Sequence, residues 1–82
     1  MRVTVYTTAP CGYCRTAKAL LAKRNIPYEE INLARDPAGR AEIVEKTGMM
    51  TFPQVIIDGE NIGGYTELAR ADKEGRLAEL AA

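Results

Sequence analysis

Cys11 and Cys14 are the only cysteines in a chain of 82 residues that has no histidine. They stand where a β-branched stretch, Arg2-Val3-Thr4-Val5-Tyr6, gives way to a run of good helix formers. That spacing predicts a dithiol at a helix N-terminus. The first amides of a helix have no partner inside it, and the macrodipole adds partial positive charge, so a thiolate at Cys11 is favoured over the thiol. Cys14, one turn on, falls on the same helical face, within reach of a disulfide. The chemistry implied is reversible thiol–disulfide exchange, with Cys11 as a usable nucleophile. A bridge across two intervening residues closes too small a loop to be a useful staple. Two cysteines without histidine supply too few ligands for an intrachain tetrahedral zinc site, so no metal is expected. A redox dithiol beside a strand–helix–strand pattern remains.

The length allows one domain, residues 1–82, with a single core. Eleven basic and eleven acidic side chains cancel, which argues against nucleic acid or an anionic membrane as partner. The sequence opens directly into a strand without a signal-like apolar run and has no stretch long enough to span a bilayer, so a cytoplasmic protein is expected. A reducing compartment makes a catalytic pair more plausible than a structural one.

The elements that must position the dithiol follow in order. The loop Thr7-Thr8-Ala9-Pro10 delivers Cys11, and a helix over residues 12–24 turns Ala17, Leu20 and Leu21 to the core with Arg15, Lys18 and Lys23 to solvent. Asn25-Ile26-Pro27 ends it, and Tyr28-Glu29-Glu30-Ile31-Asn32-Leu33 reads as a second strand, parallel to the first through a right-handed crossover. Asp36-Pro37 is a strong helix start and Gly48 a stop, giving a helix over residues 37–47. Gln54-Val55-Ile56-Ile57 and Glu60-Asn61-Ile62-Gly63 flank Asp58-Gly59 and predict an antiparallel hairpin. Gly63-Gly64 makes a close turn, Thr66 is the expected N-cap of a short helix to about residue 73, and a last helical turn through Leu77 and Leu80 packs on the body.

The order β-α-β-α-β-β-α, with Val5-Tyr6-Thr7, Cys11-Gly12-Tyr13-Cys14, Thr51-Phe52-Pro53-Gln54-Val55-Ile56-Ile57-Asp58-Gly59 and Ile62-Gly63-Gly64-Tyr65-Thr66 in register, resembles the glutaredoxin branch of the thioredoxin-like proteins almost end to end. The resemblance implies an α/β, thioredoxin-like fold, a four-stranded mixed sheet with helices on both faces. It also implies a glutathione-dependent oxidoreductase acting on glutathionylated or disulfide-bonded proteins. Cys11 would be the attacking thiolate and Cys14 the resolving thiol, with Tyr13 bordering the groove beside them. Thr51, Phe52 and Pro53 would form a turn opposite Cys11, with a cis peptide before Pro53. Gly64, Tyr65 and Thr66 would hold the γ-glutamyl carboxylate, and amides at a glycine turn opening a helix suit an anion. Arg40 falls about where relatives meet the glycyl carboxylate. Taken alone, Gly63-Gly64 reads as a plain strand-to-helix turn, Tyr13 as a surface aromatic and Arg40 as a solvated helix charge.

Two departures stand out. Relatives often carry a basic residue shortly before the first cysteine, where this chain has Thr8-Ala9, and proline where it has Gly12. A second reading makes the chain a redoxin reduced by thioredoxin reductase, which shares the architecture without a glutathione groove. A third, kept open by Gly12, is a carrier in which two chains and two glutathiones ligate a [2Fe-2S] cluster. A monomer is expected except in that third case.

Overall fold

The computed structural model describes residues 2–81, with side chains through residue 79. Strand β1 (Val3–Thr7) buries Val3, Val5 and Thr7 and leaves Thr4 and Tyr6 on the opposite face, the period-2 pattern of a pleated strand. It lies at the centre of a four-stranded sheet of order β2-β1-β3-β4. Strand β2 (Glu29–Asn32) runs parallel to β1, so the chain must cross over between them, and helix α1 (Gly12–Lys23) is that crossover. This strand is shorter than the sequence predicts. Tyr28 packs against the core ahead of it, and Leu33 is buried just beyond it, its amide donating to the Thr7 carbonyl at 2.8 Å.

Helix α2 (Pro37–Thr47) has the predicted bounds for the predicted reasons. The Asp36 carboxylate accepts from the Gly39 amide at 2.9 Å, and Gly48 closes the helix in the left-handed region at φ 74°. Strands β3 (Gln54–Ile57) and β4 (Glu60–Gly63) pair antiparallel about Asp58 and Gly59, both at positive φ, as a two-residue hairpin turn of the primed type requires. Helix α3 (Tyr65–Lys73) starts two residues earlier than predicted, with Gly64 rather than Thr66 at its cap. Thr66 is already inside the first turn. A final helix, α4 (Arg76–Ala81), supplies Leu77 to the core; the expected packing of Leu80 lies outside the described side chains.

One sheet face carries the main core, where Val3, Val5, Val55 and Ile57 meet Ala17 and Leu21 of α1, Leu68 and Ala71 of α3, and Leu77. Helix α2 lies on the other face, where Ile43 stands with Tyr6 and Leu33. The Arg24 guanidinium donates twice to the Asp72 carboxylate, at 2.7 and 2.9 Å, tying the end of α1 to α3.

Candidate active site

Cys11 is the N-cap of α1. Its backbone is extended, φ −155° and ψ 97°, which swings the side chain over the open end of the helix, where its sulfur accepts from the Cys14 amide at 3.1 Å. Cys14 belongs to the stripe that continues through Ala17 and Leu21, and it is buried with them, whereas Cys11 is half-exposed. The two sulfurs are joined in a disulfide, with Cα atoms 5.3 Å apart.

The turn before β3 comes up against this pair. Phe52-Pro53 is a cis peptide, as the resemblance implied, and the Phe52 carbonyl oxygen stands 3.7 Å from the Cys11 sulfur. Ala9-Pro10 is also cis, a bond not expected from the residues around it. Beside the turn opens a cavity of about 450 Å³, lined by Tyr13, Thr51, Phe52, Pro53, Gly64, Tyr65, Thr66 and Glu67. That volume falls in the range of small-molecule sites. The Tyr13 and Tyr65 rings stack across one side of it, centroids 6.0 Å apart, joining the starts of α1 and α3.

Seven of the residues singled out from sequence for glutathione therefore share one cavity. The eighth does not. The Arg40 guanidinium donates to the carbonyls of Leu33 and Ala34, a bracket on the loop between β2 and α2, and it is absent from the cavity wall. Glu67 was missed. Its carboxylate accepts from the Gly64 amide at 2.8 Å, so the Gly64 amide is already engaged, while the helix start leaves the next amides free of intrahelical acceptors. An acidic residue three places after a helix cap is half of a capping box, a spacing visible in Gly64-Tyr65-Thr66-Glu67.

Behind the dithiol, the buried Thr7 hydroxyl donates to Glu30 at 2.7 Å, and the Lys18 ammonium reaches both Glu30 oxygens at 3.1 Å. The Thr7 hydrogen bond, with Lys18 adding to it, holds the Glu30 carboxyl below its ordinary range against a smaller opposing effect of desolvation. Lys18, expected in solvent, is thereby committed to an ion pair. Arg15 stays exposed beside Gly12, Tyr13 and Thr16. Among the described residues no group of three or more histidine, cysteine or acidic side chains is placed to hold a metal ion, and no helix is long and apolar enough to cross a membrane.

Known proteins share this sequence and fold over most of the chain. The family model described as glutaredoxin matches residues 3–62. Glutaredoxin 1 of Rickettsia bellii is 42% identical over 82 aligned residues, covering 95% of this chain and 84% of its own. Glutaredoxin 3 of Escherichia coli is 37% identical, covering 95% of this chain and 94% of its own. Among solved structures, glutaredoxin from Brucella melitensis superposes with a TM-score of 0.86 at 40% identity, covering 99% of this chain and 88% of that one. A buckwheat glutaredoxin–glutathione complex does so with a TM-score of 0.87 at 29% identity, covering 96% and 74%. A dithiol at a helix cap, set against a cis-proline turn in a sheet that superposes on these relatives nearly end to end, places this chain in the glutaredoxin family, as a thiol–disulfide oxidoreductase of thioredoxin-like fold.

Proposed function

We propose that the chain reduces glutathione mixed disulfides and protein disulfides, with Cys11 as the attacking sulfur, Cys14 as the resolving thiol and glutathione as reductant. The observation that carries this is the shared cavity beside Cys11, in which a tripeptide thiol finds an aromatic wall, a proline turn and a glycine-opened helix start. The buckwheat relative, described as a glutathione complex, supports the same reading. A redoxin served by thioredoxin reductase has no need of such a cavity.

The steps balance as follows. The Cys11 thiolate attacks the glutathione sulfur of a glutathionylated protein; the protein thiolate leaves and a Cys11–glutathione disulfide forms. The thiolate of a second glutathione attacks the glutathione sulfur of that bond, releasing the Cys11 thiolate and oxidised glutathione. For a protein disulfide, Cys11 attacks one sulfur, Cys14 then attacks Cys11, and the protein leaves as a dithiol with the Cys11–Cys14 bridge behind it. Two glutathiones reopen the bridge. With no histidine in the chain, stabilisation of the Cys11 thiolate falls to the helix amides, and the Cys14 amide already points at that sulfur.

The test is turnover of a glutathionylated peptide by wild type, Cys11→Ser and Cys14→Ser, supplied in turn with glutathione and with thioredoxin reductase. Expected are loss in Cys11→Ser, retention in Cys14→Ser and dependence on glutathione. Activity surviving Cys11→Ser, or supported only by thioredoxin reductase, overturns the proposal. In the reduced protein, Cys11 should be alkylated at a lower pH than Cys14.

A further inference from the structure

Gln54, the only glutamine in the chain, follows Pro53 directly and has no solvent exposure. It pairs with Tyr6 at the start of β3, beside the apolar Val55, and an apolar side chain of its length would serve burial as well or better. What only a carboxamide offers is two donors and an acceptor at one point. Its Nε2 donates to the Met49 carbonyl at 2.9 Å and to the Thr51 carbonyl at 3.2 Å. Its Oε1 lies 2.8 Å from the Thr47 hydroxyl, which also accepts from the Met49 amide at 3.1 Å. Because both carbonyls can only accept, the amide orientation is fixed by its neighbours.

Between Gly48 and Pro53 the other anchors are few: Met49 and Phe52 are half-buried, and the Met49 sulfur accepts from the Asn61 amide at 3.6 Å. Met50 is 82% exposed and Thr51 is exposed, so neither anchors the segment by burial. Bonds from Gln54 therefore help set where the Thr51-Phe52 peptide stands, and the next carbonyl along the chain, that of Phe52, stands 3.7 Å from the Cys11 sulfur. We propose that Gln54 is a positioning residue for substrate, acting through the Met49 and Thr51 carbonyls to hold the Thr51-Phe52 side of the cavity at Cys11. This deepens the glutathione reading and rests on it.

The test uses the full chain carrying Gln54→Met, which keeps length and loses both donors, and Gln54→Glu, which keeps the Thr47 contact and loses the donors. Three readouts apply: KM and kcat on a glutathionylated peptide, the pH dependence of Cys11 alkylation in the reduced protein, and the backbone NMR shifts of Thr51 and Phe52. In folded Gln54→Met, KM should rise about tenfold with kcat within about twofold, the scale of a displaced binding wall. The alkylation profile should stay put, because the amides of α1 set it, and the shifts of Thr51 and Phe52 should move while those of α1 do not. Unchanged KM and unchanged shifts in a folded variant overturn the proposal, as does a fall in activity that tracks the folded fraction alone. If Gln54→Met and Gln54→Glu fail to fold, Thr47→Val carries the test, with KM rising about threefold. Wild type inactive with glutathione sinks the functional reading instead, and the NMR shifts still decide whether Gln54 holds the turn.

Discussion

Gly63→Ala separates the two glycines of the Gly63-Gly64 turn. Gly63 has φ 120°, a backbone conformation that costs a residue with a Cβ about 1–3 kcal/mol. A Cβ there would stand 2.7 Å from Glu67 Oε1 and 2.9 Å from its Cγ. Glu67 would have to swing away, and with it goes the bond to the Gly64 amide that caps α3, worth about 1 kcal/mol. The expected loss is about 2–4 kcal/mol, a large part of the stability of a domain this size, and it should lower Tm by roughly 8–30 °C. Gly64 differs. Its nearest contacts for an added Cβ are 3.4 Å to the Pro53 carbonyl and 3.5 Å to Glu67, at an ordinary φ of −91°, so Gly64→Ala should cost less than about 1 kcal/mol.

Thermal and urea unfolding of both variants, with Glu67→Ala alone and combined with Gly63→Ala, makes a double-mutant cycle. If the clash is real, removing Glu67 should return about 1 kcal/mol of the Gly63→Ala loss. Equal midpoints for Gly63→Ala and Gly64→Ala, or additive behaviour in the cycle, would refute the reasoning. Gly64 lines the cavity, so the stable Gly64→Ala protein should still raise KM for a glutathionylated substrate.

Two further outcomes follow from the buried interior and from Glu30. Because the Glu30 carboxyl titrates below its ordinary value of 4.5 in the folded chain, its bonds to Thr7 and Lys18 contribute stability that is fully present above 4.5 and is lost as pH falls from there through the lower folded-state value. Urea unfolding from pH 7 down to about 3 should therefore decline less steeply in Glu30→Gln than in wild type below about pH 5, and parallel curves would exclude this carboxylate as a source of the dependence. Leu77 is fully buried against the main core, so Leu77→Ala should cost about 2–5 kcal/mol. A calorimetric midpoint within about 3 °C of wild type would mean that α4 is not held through this side chain.

Much of the fold was legible because its punctuation is local. Asp36-Pro37 and Gly48 bound α2, and Asp58-Gly59 fixes the hairpin, each by backbone chemistry contained in a few neighbouring residues. The misses are side chains whose partners lie elsewhere. Thr66 has the right chemistry for an N-cap, but Glu67 reaches back to Gly64 and the helix starts early. Arg40 is aimed by two loop carbonyls six and seven residues before it, which no periodicity announces. Gln54 left one sign, a polar residue opening an otherwise apolar strand beside a proline. Such a residue needs partners, and the nearest unpaired carbonyls had to come from the preceding loop.

The asymmetry of the dithiol, by contrast, was written in the spacing itself. Residues 14, 17 and 21 fall on one stripe of a 3.6-residue helix, so a helix that buries Ala17 and Leu21 must bury Cys14 too. Cys11 precedes the first helical residue and is free of that constraint; its extended backbone carries the sulfur back over the helix end, toward the Cys14 amide and the cis-proline turn. Burial shields one sulfur from outside reagents and leaves Cys11 as its nearest partner. Exposure gives the other access, and on the proposed reading the open amides favour its thiolate once the bridge is reduced. The division of labour proposed for the two thiols thus asks only for a helix that starts between them.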